Sequence, residues 1–349
     1  MTHVLSAGDL FISPHLFSDA ITDAVAGAEA LTFSEITLPW PVEPFGPVGN
    51  VDEASGSTEE LIAALSGAEV AVTQLAPFTR DVFAACPDLR FVGVSRGGPV
   101  NVDLDAATAA GVTVSFAPGR NAQAAAEYAI GLMLAAMRHI NAADAELKSG
   151  VWRGDYYTYE RSGMELSGEV VGLVGYGAIG RIVARVLRAF GATVLAYDPY
   201  AGAESVAADE VTLTSLDELL ERSAVVSLHA RLTPETRHII DGAALARMRP
   251  GAVLVNSARG GLLDYAPLPA LLESGRLGAL ALDVYDVEPP PASWPLLTAP
   301  NVVLSPHLAG ATKQTAARAA RVIAGEVARF LDGTGPRFVA NPDVSRARR

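Results

Sequence analysis

Short apolar runs alternate with helical patterns over the first third of the chain. Five β-rich runs, HVLS, LTFSEI, EVAVTQ, LRFVGVS and GVTVSF, are separated by patterns that predict helices near residues 17–25, 58–65, 79–85 and 102–109. Strands separated by helices form βαβ units, so this alternation predicts a mainly parallel sheet. The Pro- and Gly-rich stretch 39–56 predicts a loop.

A long apolar segment from Asn121 to Leu147 predicts one continuous helix. Its most apolar run, residues 128–137, is too short to span a bilayer. The predicted helix is apolar on more than one side, so other parts of the protein must cover it. We expect its surplus apolar surface to form a subunit interface.

A second alternating series follows the long helix. It contains six strand candidates, EVVGLV, TVLAY, VVSLH, AVLVN, LALDV and NVVLSP, and indicates a second α/β domain. Residues 313–331 then show helical spacing of apolar positions, which predicts a helix with one packed face. After Gly333 we expect a frayed end, and the basic ending at 346–349 is typical of a solvated tail.

Composition narrows the class of protein. A chain of 349 residues exceeds what one core usually serves, and 50% hydrophobic with 19% charged residues is typical of a globular protein. The formal charge of -13 argues against nucleic acid or an anionic membrane as a partner. Cys86 is the only cysteine, and the start lacks a secretory pattern, so we expect a cytoplasmic protein.

The segment GYGAIG, residues 175–180, follows an apolar strand and precedes an amphipathic helix. Its three glycines, Gly175, Gly177 and Gly180, match the dinucleotide-binding pattern G-x-G-x-x-G, in which the helix N-terminus faces the pyrophosphate. With Tyr176, Ala178 and Ile179 between them, they form the predicted cofactor loop. The alternatives are an ordinary tight turn, or a loop that binds S-adenosylmethionine in a methyltransferase.

Asp198 ends the next strand, 21 residues after Gly177. A carboxylate at this point can accept hydrogen bonds from the ribose hydroxyls of adenosine. Its neighbours Pro199 and Tyr200 offer no cation for a 2′-phosphate, so we predict NAD rather than NADP.

Three later strands are each followed by a polar residue, namely Arg259, Glu288 and His307. Each alone has an ordinary explanation, as a surface charge, an acid before a Pro-rich turn, or a histidine beside a proline. The carboxyl ends of strands in an open α/β sheet face the bound nucleotide, so we expect the three side chains to converge there.

GYGAIG, NSARGGLLD, DVYDVEP and SPHLAG stand in the order and spacing of the D-isomer-specific 2-hydroxyacid dehydrogenase family, which the chain resembles from about residue 70 to 310. The resemblance implies an NAD-binding Rossmann-type domain, residues 119–310. It also implies a smaller flavodoxin-like α/β substrate domain built from residues 1–118 and 311–349, both with parallel sheets. A homodimer is implied as well.

By this resemblance Arg259, Glu288 and His307 are catalytic, and Asp283 contacts the carboxamide of the cofactor. The residue types agree, because moving a hydride onto a keto acid builds negative charge on oxygen and requires a proton donor. His307 is the candidate acid, Glu288 favours its protonated form, and Arg259 suits the substrate carboxylate.

The resemblance extends to further binding residues. VVSLHARLTPET matches a segment bordering the cofactor, which implicates His229 and Thr236, although Arg231 stands where proline is common. NSARGG implicates Ser257 and Ala258 in cofactor binding. The substrate residues would be Gln74 together with Gly97, Gly98 and Val100, in a loop that is about two residues shorter than in the family and carries Pro99. Arg259 and His307 would bind substrate as well.

The sequence therefore predicts an NAD-dependent enzyme acting on a small 2-hydroxy or 2-keto acid, such as glyoxylate, hydroxypyruvate or a sugar-derived acid. The six histidines show no ligand pairing at helical spacing, so no metal is expected. No regulatory domain is expected after Leu331. The main alternative is an NAD-sensing interaction protein, similar to transcriptional corepressors of this fold.

Overall fold

A computed structural model describes residues 1–41 and 44–344, so the basic ending discussed above lies outside the described residues. The chain divides into two compact units. The first unit comprises residues 1–121 and 311–349, and the second comprises residues 122–310.

The first unit is built on a five-stranded sheet whose ladders are all parallel, in the order β2-β1-β3-β4-β5. This is the flavodoxin-like order, and the predicted fold class is confirmed. Buried apolar side chains on both faces explain why its strands read as short, nearly continuous apolar runs. The strands are β1 Thr2–Gly8, β2 Leu31–Thr37, β3 Val70–Thr73, β4 Phe91–Val94 and β5 Thr113–Phe116.

Helices flank this sheet, and the last helix of the chain returns to it. The helices of the first unit are α1 Pro14–Ala24, α2 Thr58–Ala64, α3 Arg80–Ala85, α4 Leu104–Ala109 and α12 Lys313–Leu331. The predicted apolar stripe of α12 is buried at Ala316, Ala320, Ile323 and Val327, where the helix packs on α1 and β4. A chain end therefore completes the core of the first unit.

The prediction of a frayed end after Gly333 is wrong for the part of the chain that the structure describes. Asn341 Oδ1 accepts a hydrogen bond from Val114 N (2.9 Å), and its Nδ2 donates to Val112 O (2.9 Å). Val339 also forms an isolated bridge with Ser115. Local sequence could not predict this order, because the partners lie more than 220 residues away.

The second unit has a seven-stranded parallel sheet in the order β12-β11-β10-β9-β6-β7-β8. The chain order reverses between β6 and β9, which lie side by side, and ligands of open α/β sheets bind outside the strand ends at such a point. Six strands were predicted, and the structure adds the two-residue β8. The strands are β6 Val170–Val174, β7 Thr193–Tyr197, β8 Thr212–Leu213, β9 Val225–Leu228, β10 Ala252–Asn256, β11 Leu277–Leu282 and β12 Val302–Leu304.

The predicted helix over residues 121–147 is two helices, α5 Ala122–Met137 and α6 Ile140–Lys148. His139 separates them in the left-handed region, with φ 55°. Two distant residues pack at the break: Tyr156 stacks on the His139 ring, and Gly163 passes so close that a Cβ there would lie 2.2 Å from Met137 O. Tertiary packing, which the local pattern does not contain, ends the helix.

Helix α5 is covered within its own unit, against α7 and the sheet. The apolar character of α5 is therefore accounted for within the unit, whereas Ile140 and Leu147 of α6 are exposed, and a subunit interface on the predicted segment stays a prediction. In the described ranges, none of the helices combines the length and apolar character needed to cross a membrane. The other helices of this unit are α7 Ala178–Ala189, α8 Ala203–Ala208, α9 Leu216–Arg222, α10 Gly242–Arg247 and α11 Leu268–Glu273.

Candidate active site

The glycine turn joins β6 to α7, and each glycine meets a different steric demand. Gly175 has a φ of 101°, and a Cβ on it would lie 2.4 Å from Ala230 N in the neighbouring loop. A Cβ on Gly180 would lie 2.4 Å from Gly175 O, whereas one on Gly177 would meet no described atom within 4 Å. Gly177 is also the N-cap of α7, without a side-chain capping bond. The turn thus offers bare backbone N–H groups to an anion, which fits a pyrophosphate.

Asp198 directly follows β7 and is bonded to this turn. Its Oδ2 accepts a hydrogen bond from Tyr176 N (2.7 Å), and its Oδ1 accepts one from Tyr200 N (2.8 Å). Each carboxylate oxygen can accept a second bond, so the group can also receive hydroxyl donors. The chemistry of this position fits an adenosine ribose.

Tyr176 is anchored below the turn by a residue that sequence reasoning missed. Its hydroxyl donates to Asp209 Oδ2 (2.8 Å), which also accepts from Arg181 Nε (3.0 Å). Burial, reinforced by this bond, raises the pKa of Tyr176 to about 12. Asp209 follows α8 in an irregular segment, and no motif in the sequence marks it.

His229 follows β9 and lies beside the glycine turn. Its Nε2 is buried and has no hydrogen-bond partner among the described residues, and burial lowers the pKa of the ring to about 4. The imidazole is therefore neutral at pH 7, with one nitrogen free to meet a ligand. Thr236 closes the following loop, because its Oγ1 donates to Arg231 O (2.7 Å).

The loop after β10 carries Ser257, Ala258 and Arg259, and it is shaped by Asn256. The buried amide of Asn256 accepts from Ala258 N (3.1 Å) and donates to Arg259 O (2.9 Å). The side chain of Arg259 lies at the surface, where its Nη1 donates to Ala258 O (2.6 Å). Asn256 is a positioning residue that the sequence analysis did not identify, although it stands in the quoted NSARGG segment.

Asp283 follows β11 and is fully buried. Its Oδ1 accepts from Ser305 Oγ and Leu308 N, both at 2.7 Å, and its Oδ2 accepts from Ala309 N at 2.8 Å. These bonds hold the segment that carries His307. The one remaining lone-pair position suits an amide donor, and contact with a carboxamide stays a prediction.

His307 and Glu288 form a close pair, as their spacing after two neighbouring strands predicted. His307 Nδ1 lies 2.8 Å from Glu288 Oε2, while Glu288 Oε1 accepts from Tyr285 N (3.1 Å). The imidazole is 49% exposed, so its other nitrogen is accessible to a substrate. The contact with Glu288 uses Nδ1 and leaves Nε2 of the ring for another partner.

The charges of this pair support each other. The hydrogen bond with Glu288 raises the pKa of His307, and burial of the ring opposes it less strongly. Burial alone would raise the pKa of Glu288. The hydrogen bond with His307 and the positive charges of His307 and Arg259 outweigh this effect, so the pKa of Glu288 is lowered overall. Arg259 acts on both groups, so the three predicted side chains are brought within electrostatic range.

The other candidates, Gln74, Gly97, Gly98 and Val100, lie in the first unit. Gln74 is buried directly after β3, and its Oε1 has no hydrogen-bond partner among the described residues. A Cβ on Gly97 or Gly98 would meet no described atom within 4 Å, and Val100 O accepts from Asp52 N (3.1 Å). The loop therefore has open space beside both glycines, and its contact with a substrate stays a prediction.

Comparison with known proteins places these features in a family context. Residues 130–309 match the profile described as "D-isomer specific 2-hydroxyacid dehydrogenase, NAD binding domain". The D-3-phosphoglycerate dehydrogenase of Mycobacterium bovis is 43% identical over 276 residues, which is 79% of this chain and 51% of that protein. The glyoxylate reductase of Korarchaeum cryptofilum is 36% identical over 298 residues, covering 85% of this chain and 90% of that protein.

A solved glyoxylate reductase from Paecilomyes thermophila has the same fold, with a TM-score of 0.75, 28% identity and 98% coverage of both chains. The chain spans about half the length of the phosphoglycerate dehydrogenases it matches. The names of these relatives do not favour a corepressor-like interaction protein or a methyltransferase.

Proposed function

The chain belongs to the D-isomer specific 2-hydroxyacid dehydrogenase family, with residues 130–309 as its NAD-binding domain, and from this premise we propose that it interconverts a 2-hydroxy acid and its 2-keto acid. The observation that carries the proposal is the 2.8 Å contact between His307 and Glu288 beside Arg259. A proton donor and a carboxylate-binding cation are what this reaction requires of a protein.

His307 exchanges the proton at Nε2. During reduction the protonated imidazole gives a proton to the keto oxygen, and during oxidation the neutral ring takes it back. Glu288 holds the ring through Nδ1 and favours the charged form, because the pKa of His307 is raised by their hydrogen bond.

Arg259 binds the substrate carboxylate and stabilises the negative charge that grows on the keto oxygen. A guanidinium suits both tasks, because it presents forked donors and stays charged at any physiological pH. Asn256 fixes the backbone from which this side chain projects.

NAD is held by the glycine turn, Gly175 to Gly180, and by Asp198. When bound, the cofactor supplies the ring that takes or gives the hydride. His229, Thr236, Ser257, Ala258 and Asp283 line the rest of its site. Asp198 favours NAD over NADP, since a carboxylate at the ribose repels a 2′-phosphate.

We propose that residues 1–118 with 311–349 form the substrate domain and that residues 119–310 form the cofactor domain. In the first unit, backbone N–H groups at Gly97, Gly98 and Val100 bind the substrate carboxylate, and Gln74 contacts the rest of the molecule. Support comes from the open surroundings of both glycines and the unpaired Gln74 amide oxygen.

The direct test is NADH oxidation by the purified chain, followed at 340 nm, over glyoxylate, hydroxypyruvate, pyruvate and sugar-derived 2-keto acids. We expect turnover of at least one acid and a weaker rate with NADPH. The His15→Ala variant, altered at an exposed histidine of α1, controls for effects of mutagenesis and purification on activity. Binding of NAD with no turnover on the whole panel would contradict the proposal.

We further propose a cytoplasmic homodimer. The side chains Ile140, Leu147, Trp152, Tyr157 and Tyr159, in α6 and the segment after it, expose apolar surface that a second copy would cover. Trp152→Glu should convert the dimer to a monomer in analytical ultracentrifugation, whereas Phe190→Glu, an exposed apolar site outside this patch, should not. A monomeric wild-type chain would refute it.

A further inference from the structure

Polar atoms without partners are concentrated at one edge of the first unit. Ten buried side-chain oxygen or nitrogen atoms in the described residues lack a hydrogen-bond partner. Five of them lie in the segments after β1, β3, β4 and β5: Asp9 Oδ2, Gln74 Oε1, Ser95 Oγ, Asn101 Oδ1 and Arg120 Nη1. Buried polar groups in folded proteins are normally paired, so this concentration requires an explanation.

Strand register brings these segments together. Ala7 pairs with Thr73, Thr73 with Val94, and Val94 with Phe116, so the carboxyl ends of the four strands lie side by side. Asp9 and Gln74 follow directly on this edge. Arg120 lies close enough to Asp9 for its charge to lower the pKa of that carboxyl, although burial raises it overall.

We propose that Asp9, Gln74 and Arg120 form a subsite that binds the hydroxyl groups of a polyhydroxylated, sugar-derived acid. The two oxygens, Asp9 Oδ2 and Gln74 Oε1, can only accept when Asp9 is ionised, and Arg120 Nη1 can only donate. A hydroxyl group both donates and accepts, so a chain of hydroxyls satisfies all three atoms. An aliphatic chain satisfies none of them.

A phosphate fits the same atoms poorly. It brings only acceptors at neutral pH, and its negative charge would lie against the Asp9 carboxylate. Arg96 follows β4 on the same edge, but its guanidinium is already paired. It forms an ion pair with Glu53 and donates to the Glu53 carbonyl (3.0 Å).

The Asp9 carboxylate is oriented before any ligand binds. Asp9 Oδ1 accepts from Phe11 N and Ile12 N, both at 2.8 Å, which holds the carboxylate in one orientation and leaves Oδ2 unpaired. Arg120 is held at its backbone, where its carbonyl accepts from Arg318 Nη1 (2.8 Å). Prearranged polar groups select strongly against analogues that leave them unpaired.

The identification of this ligand as the substrate rests on the proposed function, so the test has a kinetic and a binding part. The kinetic part compares kcat/KM of the full chain for 2-keto-D-gluconate and 2-keto-L-gulonate with that for 2-oxohexanoate, which has six carbons and no hydroxyls. We expect a preference of roughly 100-fold for one of the sugar acids. A ratio near one, or a preference for 3-phosphohydroxypyruvate, would overturn the subsite.

Variants assign the preference to these residues. Asp9→Asn keeps Oδ1 for the turn but replaces the unpaired acceptor by a donor, and we expect it to reduce the preference about 10-fold. Asp23→Asn, at an exposed carboxylate of α1, is the matched control and should leave the preference unchanged. If Asp9→Asn does not fold, Gln74→Leu tests the same loss, and an unchanged preference there refutes the assignment.

The binding part separates the two proposals. Calorimetric titration of the full chain with D-gluconate and L-gulonate needs no turnover, and binding that Asp9→Asn weakens about 10-fold supports the subsite even if no keto acid is reduced. Reduction of glyoxylate without any preference for sugar acids would leave the proposed function standing and remove the subsite.

Discussion

The carboxyl edges of the two sheets differ in how far their polar side chains are hydrogen-bonded within the protein. In the second unit three of these side chains are bonded to the protein: Asn256 to its own loop, Asp283 to the segment before α12, and Glu288 to His307. In the first unit, Asp9, Gln74 and Arg120 each keep a buried atom without a partner. At the edge of the second unit, His229 Nε2 also lacks a partner among the described residues, so the first unit holds the larger share of such atoms but not all of them.

This difference is consistent with separate roles for the two edges, one in proton transfer and one in ligand recognition. A group that must move a proton has to be held in one orientation with a shifted pKa, and internal bonds provide both at His307, the proposed proton donor. A group that recognises a ligand needs a donor or acceptor that makes no hydrogen bond within the protein, and an unpaired buried atom is such a group. The predictions below test the edge of the second unit, from the largest effect to the smallest.

Removing the imidazole should have the largest effect. His307→Ala eliminates the proton donor, and we expect kcat to fall roughly 10² to 10⁴-fold while the NAD dissociation constant stays close to that of the wild type. Steady-state NADH oxidation and fluorescence titration measure the two quantities. His15→Ala is the control, and full activity of His307→Ala would exclude this residue as the acid.

Removing the buried carboxylate of Asp283 should destabilise the second unit. Asp283→Ala leaves Ser305 Oγ, Leu308 N and Ala309 N without their acceptor, and we expect a loss of about 3–5 kcal/mol in the free energy of unfolding. Urea unfolding followed by tryptophan fluorescence tests this, with the exposed Asp19→Ala as control. A loss below about 1 kcal/mol would show that these bonds do not hold the segment.

The sequence allowed the candidate site at the strand ends of the second unit to be predicted because its signals are local. Each strand is a short apolar run, and the glycine pattern and the strand-final polar residues stand next to these runs. Sheet topology then brings the strand ends together without further information. The family prediction, the fold class and the NAD cofactor are confirmed by the family match and the parallel sheets.

The features that were missed depend on distant partners. His139 ends α5 because Tyr156 and Gly163 pack there, and Asn341 is ordered because β5 lies beside it. Asp209 anchors Tyr176 from 33 residues away. None of these contacts has a local signature, so periodicity and propensity could not have found them.

Replacing Glu288 should shift the pH dependence rather than abolish the reaction. The hydrogen bond with Glu288 raises the pKa of His307, so reduction, which needs the protonated ring, should be lost as pH rises through this raised pKa. Glu288→Gln removes the negative charge but keeps an acceptor for Nδ1. We therefore expect the decline of kcat/KM for reduction to begin at a lower pH than in the wild type. An unshifted profile would mean that Glu288 does not set the protonation of His307.

Removing the carboxylate at the glycine turn should have the smallest effect and should fall on the cofactor alone. Asp198→Ala deletes the acceptor of Tyr176 N and the group proposed to receive the ribose hydroxyls, and we expect the NAD dissociation constant to rise about 10-fold. Binding of NADP should weaken less, because the same change removes a negative charge that opposes the 2′-phosphate. Fluorescence titration with both cofactors measures this, with Asp217→Ala, which breaks a surface ion pair with Arg247, as the control. If both dissociation constants stayed at their wild-type values, Asp198 would serve only the turn, and the preference for NAD would need another source.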